Sequence, residues 1–240
     1  MTHLVLVHGF MGGSAQWADQ ITALADRFDI IAVDLPGFGA NARAPAIDTI
    51  GGFADWVIAH LRDRGVDHYH LMGHSMGGMI VQEMARRDAG RVDRLILYAT
   101  GAIGVLPGRF ETIAESKARA VADGSVATAR RISATWFLDC AAAPGYEGCA
   151  RIAEQASADA IQAGLDAMEA WSGQDALADI AAETLIIWGD RDRTYTWAQI
   201  GGLMKGVPRT QLSVVPGCSH AVHLEKPSVF NGILRDFLTA

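Results

Sequence analysis

The chain has 240 residues, half of them apolar and a fifth charged, with a net charge of −7. That balance supports a sizeable buried core and excludes an intrinsically disordered chain, which combines low hydrophobicity with high charge. Its 20 basic residues are scattered among 27 acidic ones, so no Lys/Arg stripe offers a footprint for nucleic acid.

The length suits one generous α/β domain, or one domain carrying a large insertion. The sequence opens directly on a strand-like run, without the basic n-region or small-residue cleavage site of a secretory signal. No apolar run reaches the ~18 residues needed to cross a bilayer. A cytoplasmic protein with no membrane association is therefore expected. Cys140, Cys149 and Cys218 are odd in number and lack metal-ligand spacing. Reduced thiols are the plainer reading, rather than a Cys140–Cys149 disulfide or a metal centre.

In chain order, near-continuous apolar runs fall at 3–8, 29–35, 68–73, 94–100, 184–188 and 211–216. Runs such as Leu4-Val5-Leu6-Val7 fit strands buried on both faces, the pattern of a parallel sheet covered by helices. Helix-like stretches lie between or after them at 15–27, 50–64, 76–87, 197–205 and 228–238. In the second of these, Phe53, Val57, Ile58 and Leu61 share one face. Strands alternating with helices predict βαβ units in an open, doubly wound sheet. Between residues 100 and 183 the rhythm breaks. That segment holds no convincing strand, only alanine-rich helical patterns at 109–122, 126–138 and 158–171, punctuated by Gly124 and Ala143-Pro144-Gly145. A helical insertion of this kind reads as a lid over the carboxyl edge of the sheet.

Gly73-His74-Ser75-Met76-Gly77-Gly78 stands between a predicted strand and a predicted helix, the context of a G-x-S-x-G nucleophile elbow. A turn that tight forces the serine into a strained conformation and leaves no room for side chains beside it. A serine hydroxyl is a weak nucleophile at neutral pH, so it needs an adjacent base oriented by a third group. The loop after the last strand supplies His220 in Gly217-Cys218-Ser219-His220, with His223 as a competitor. The acid falls in Gly189-Asp190-Arg191-Asp192, because no acid follows the preceding strand; Asp190 competes with Asp192. Two backbone N–H groups must face the oxyanion. One belongs to Met76, after the nucleophile, and the other to the loop after the first strand, at Phe10. His8 and His74 read as structural.

These pieces resemble the α/β-hydrolase superfamily over nearly the whole chain. They are the His8-Gly9-Phe10 loop, Asp34-Leu35-Pro36-Gly37-Phe38-Gly39, the elbow at Ser75, the G-x-x-D turn at Asp192 and the G-x-x-H at His220 with its H-L-E-K-P sequel. The resemblance selects Asp192 over Asp190 and His220 over His223. It implies a core of residues 1–103 and 180–240, with 104–179 forming a helical cap inserted after the fourth strand. The chain begins at what resembles the family's third strand, so a sheet of about six mostly parallel strands is expected. Ser219 stands where many relatives carry glycine.

The resemblance implies a serine hydrolase acting on a carboxylic ester or lactone of a small, largely apolar molecule, with no cofactor and no metal. Ser75 argues against epoxide hydrolases and dehalogenases of this superfamily, whose nucleophile is aspartate. His74 stands where C–C bond hydrolases usually have asparagine. Such a C–C hydrolase is the alternative, as is a small-molecule receptor on the same fold. The expected pocket walls are Phe10, Met11, Met76 and Met79 from the core, and Trp136, Phe137, Leu138, Met168 and Trp171 from the cap. Arg130 and Arg131 could greet a substrate carboxylate, although a solvated helix face is the simpler reading. Nothing in the sequence sets an oligomeric state.

Overall fold

The apolar runs become strands because both of their faces are covered. The structure, a computed structural model, describes residues 1–108 and 111–240. Its six strands are β1 (Thr2–Val7), β2 (Phe28–Val33), β3 (Tyr69–His74), β4 (Val92–Tyr98), β5 (Glu183–Gly189) and β6 (Thr210–Val215). They form one wholly parallel sheet in the order β2-β1-β3-β4-β5-β6. Along β1, Val5 and Val7 face one apolar core while Leu4 and Leu6 face the other. Each of these side chains is fully buried, and each contributes roughly 1.5–3 kcal/mol.

Helices α1 (Ala18–Leu24) and α9 (Pro227–Thr239) pack together on one face of the sheet, and α2 (Ile50–Arg62) and α3 (Met76–Arg87) on the other. Helix α2 starts where the Thr49 hydroxyl accepts the Gly52 N–H, an N-cap. Its Phe53, Val57, Ile58 and Leu61 stripe is buried as the periodicity predicts. Strand order reverses at β1, whose neighbours β2 and β3 are reached in opposite directions. The carboxyl ends of β1 and β3 therefore open the crevice in which α/β sheets bind ligands.

Strands β4 and β5 pair directly, Tyr98 opposite Ile187, although the whole cap lies between them in sequence. The cap consists of α4 (Ile113–Ala134), α5 (Tyr146–Ala153) and α6 (Ala158–Glu169). Its two arms meet in a short antiparallel neck: Ile103 bridges Ser172, Gly104 N–H donates to Trp171 O (3.0 Å) and Gly173 N–H to Ala102 O (2.9 Å). A Cβ on Gly104 would sit 1.7 Å from Met168 O, so only glycine fits there.

Two expected cap helices form α4, which breaks at Gly124 (φ 78°, ψ 168°). Its start is set by a Thr112–Glu115 capping box; residues 109 and 110, where the sequence pattern began, lie outside the described residues. Its end comes at Ala134 rather than 138. There the Ser133 and Thr135 hydroxyls donate back to Ala129 O and Ile132 O, a side-chain competition that favours helix termination. Helix α5, which the sequence reading did not place, follows the Ala143-Pro144-Gly145 break and buries Cys149, Ala150 and Ala153. Helices α7 (Trp197–Gly206) and α8 (Val222–Glu225) complete the chain. Among the described residues, no helix is long and apolar enough to cross a membrane. All three cysteines are free, and burial pushes the Cys149 thiol up to about 12 and Cys218 to about 11.

Candidate active site

Ser75 occupies the single residue between β3 and α3, at φ 56° and ψ −118°. Residues with a Cβ rarely adopt that region, and it stores strain. The glycines allow the turn to close. A Cβ on Gly73 would lie 2.2 Å from Gly77 O, and one on Gly77 would lie 2.4 Å from Val7 O. Gly9, in the loop after β1, comes so close that its Cβ would sit 3.0 Å from Ser75 Cβ. Thr100 Oγ1 donates to Ser75 O at 2.8 Å, holding the elbow from the turn just after β4. The Ser75 side chain is thereby left half-buried at the positive end of α3. Beside it, Met76 N–H belongs to the first turn of α3, where amides have no intrahelical acceptor.

His220 lies in the loop after β6, and its Nδ1 is 2.9 Å from Asp192 Oδ2, both side chains buried. Asp192 is fixed in turn by N–H donation from Thr194 (2.7 Å) and Tyr195 (3.2 Å) to its Oδ1. With Asp192 as acceptor, the His220 proton sits on Nδ1, leaving the Nε2 lone pair free. The Tyr195 ring stacks on the imidazole at a centroid distance of 5.7 Å. The His220 carbonyl accepts from Tyr98 OH and from His74 Nε2, each at 3.1 Å.

The competing residues sit elsewhere. Asp190 accepts Gly217 N–H at 2.6 Å and closes a turn. His223 is buried against Trp17 with its Nδ1 2.9 Å from Tyr98 OH, and burial pushes it down to about 3. His8 Nε2 accepts Leu35 N–H at 3.0 Å while Nδ1 faces Gly9 O at 2.8 Å; burial lowers it to about 4. His74 is held well below the usual imidazole range by burial, with His220 and His223 adding to the effect. All three imidazoles are therefore neutral at physiological pH.

Ser75 and His220 share the floor of a cavity of about 50 Å³, room for a few waters. Gly9, Phe10 and His74 border them. The apolar wall is Met79 from the core and Leu106, Ile132, Trp136 and Met168 from the cap, while Thr135, Thr194 and Tyr195 add polar edges. Met79, Trp136 and Met168 thus stand where the sequence reading put them. Five expected wall residues do not line this cavity. Met11, at positive φ, turns into the core and is fully buried, as is Phe137. Leu138 is exposed. Trp171 packs over Gly173 and donates to Glu83 Oε1 at 3.1 Å. Met76 is likewise fully buried. Arg130 pairs with Glu147 and Glu154, and Arg131 with Glu111. Both are therefore spent on joining cap segments.

Sequence reasoning missed Leu106, Ile132, Thr135, Thr194 and Tyr195. Ile132 and Thr135 share a helical face with Trp136 by their i, i+3, i+4 spacing, and Thr194 and Tyr195 share the turn of Asp192; both signals were present. Among the described residues, no group of three His, Cys, Asp or Glu side chains is placed to hold a metal.

A family model described as alpha/beta hydrolase fold matches residues 2–227. Over 240 residues the chain is 26% identical to a protein of Agrobacterium fabrum provisionally named carbamate hydrolase RutD, covering 98% of this chain and 92% of that one. It is 25% identical to the 2-hydroxy-6-oxo-6-phenylhexa-2,4-dienoate hydrolase of Burkholderia cepacia, covering 98% and 87%. Among solved structures, the enol-lactonase from Burkholderia xenovorans LB400 superposes with a TM-score of 0.91 at 23% identity, covering 100% of this chain and 92% of that one.

Proposed function

The chain belongs to the α/β-hydrolase fold family, and from that membership we propose that it is a serine hydrolase of small carboxylic esters or lactones, with Ser75, His220 and Asp192 as its triad. The observation that carries the reading is the buried 2.9 Å Asp192–His220 contact opening onto the same cavity as a strained, accessible serine. Asp192 keeps the proton of His220 on Nδ1, so Nε2 takes the Ser75 proton as Oγ attacks the acyl carbonyl. Negative charge then develops on the carbonyl oxygen, to which the Phe10 and Met76 N–H groups donate. Each such donor is typically worth about 2.7–4 kcal/mol of barrier. The imidazolium formed on His220 lies against the Asp192 carboxylate and returns its proton to the leaving oxygen. Water, deprotonated by His220, then attacks the acyl carbonyl, and His220 returns that proton to Ser75 Oγ as the carboxylic acid leaves.

Residues 104–179 act as the lid of this site, supplying Leu106, Ile132, Trp136 and Met168. The cavity is small, so it suits a compact acyl group. C–C bond hydrolysis is the second reading, favoured by the similarity to the dienoate hydrolase.

A fluorophosphonate probe and short p-nitrophenyl esters test the proposal on wild type and Ser75→Ala. The expectation is labelling and turnover in the wild type and neither in the variant. A wild type that is not labelled overturns the assignment of Ser75. Labelling without ester turnover, together with consumption of a ring-fission dienoate, favours the second reading.

A further inference from the structure

Glu225 lies at the end of α8, five residues beyond His220, and its two carboxylate oxygens serve different parts of the molecule. Oε2 accepts the N–H of Ser219, the residue before His220, at 2.6 Å. Oε1 accepts the N–H of Leu138, in the cap, also at 2.6 Å. On the other side of His220, Ala221 N–H donates to Trp136 O at 2.9 Å. Both neighbours of His220 are therefore tied to the cap stretch 136–138, one directly and one through Glu225. The loop of the acid reaches the same stretch, since Arg193, next to Asp192, donates to Leu138 O at 2.9 Å. The Leu138 residue is thus held at its N–H by a carboxylate and at its carbonyl by a guanidinium.

This stretch follows the end of α4, to which it is joined by turn hydrogen bonds from Trp136 N–H to Ser133 O (3.2 Å) and Phe137 N–H to Ala134 O (3.5 Å). It carries Trp136, whose ring forms part of the cavity wall and lies 6.4 Å from the His220 ring. Two N–H groups converging on one carboxylate make charge-assisted bonds, stronger than neutral ones. Only an ionised carboxylate presents an acceptor to each donor; a glutamine would turn its NH₂ toward one of them.

We propose that Glu225 is a positioning residue that registers the Trp136 wall of the cap against His220. The inference rests on the serine-hydrolase reading of the same site. If Glu225 merely braced the His220 loop, Trp136 would be irrelevant to its effect. If it sets the distance between the two, its effect depends on Trp136 being present.

A double-mutant cycle separates these cases. The proteins are wild type, Glu225→Gln, Trp136→Ala and the double variant. Each is assayed for kcat and KM on p-nitrophenyl butyrate, for fluorophosphonate labelling and for melting temperature. In the Trp136 background, Glu225→Gln is expected to lower kcat/KM about tenfold, the scale of one charged hydrogen bond, mostly in kcat. In the Trp136→Ala background the loss should shrink to less than about twofold. An equal loss in both backgrounds, or no loss in either, overturns the proposal while leaving a labelled Ser75 intact. An unlabelled wild type overturns the hydrolase reading and the proposal together. Should Glu225→Gln fail to fold, Arg193→Met releases the same Leu138 residue from its other side. Its loss must then also shrink in Trp136→Ala, and a loss indifferent to Trp136 refutes the inference.

Discussion

Replacing Ser75 with glycine removes the nucleophile and, at the same time, the Cβ that makes φ 56°, ψ −118° unfavourable. A residue held in such a region costs of order 1–3 kcal/mol. Glycine relieves that cost, but its unfolded chain gains freedom worth about 0.5–1 kcal/mol. The net expectation for Ser75→Gly is a gain of roughly 0.5–2 kcal/mol. Little packing is lost, because the side chain lies on the floor of an existing cavity. Ser75→Ala retains Cβ and with it the strain, so it is the control. For a domain of this length, 1 kcal/mol moves the melting temperature by about 2–4 °C. Ser75→Gly should therefore melt several degrees above Ser75→Ala, which should itself lie near the wild type. Scanning calorimetry on the three proteins at pH 8 gives the comparison. A glycine variant that melts at or below the alanine variant would refute the claim that the elbow is strained.

Asp192→Asn should leave the fold intact, since its oxygen can still accept the Thr194 and Tyr195 amides. Its NH₂, however, would face His220 Nδ1 and shift the proton to Nε2; kcat should fall by about four orders of magnitude, measured by ester turnover against melting temperature. Stability should also fall on acidification. His8, His74 and His223 all have folded-state values depressed below the ordinary 6.5, His8 to about 4 and His223 to about 3. The unfolded chain then binds more protons, so their contribution is complete well above pH 6.5 and is lost as pH drops through that value. At pH 5.5 His8 and His223 should each cost about 1.4 kcal/mol, or about 3 kcal/mol together, with His74 acting in the same direction. Urea unfolding at pH 8 and 5.5 checks this; equal stabilities at the two pH values would show that these imidazoles are not buried neutral.

The parallel sheet was legible because each strand is covered on both faces, leaving an unbroken apolar run such as Leu4 to Val7. The elbow was legible because its geometry admits few residues: Gly73 and Gly77 have backbone atoms where a side chain would begin. The acid and the base were narrowed by chain order, and the resemblance chose among them. Less could be read of the cap, because its helices are alanine-rich and pack on one another as well as on the core, so which apolar residue faces the cavity is decided by tertiary contacts. Phe137 and Trp136 are adjacent, both large and apolar, yet one enters the core and the other lines the cavity. That choice is made by the end of α4 and by hydrogen bonds to Glu225 and Ala221, partners more than 80 residues away in sequence.

The neck at Ile103 and Ser172 gives the molecule a natural point of exchange. Both arms of the insertion enter and leave through one backbone pairing, while β4 and β5 keep their register beneath it. An insert whose ends already lie side by side places little demand on its own length. Evolution, or a protein engineer, can therefore graft a longer, shorter or differently walled cap at this junction. The elbow would stay as it is, but a grafted cap would have to supply new partners for Glu225, Ala221 and Arg193, which hold the present cap beside His220 and Asp192.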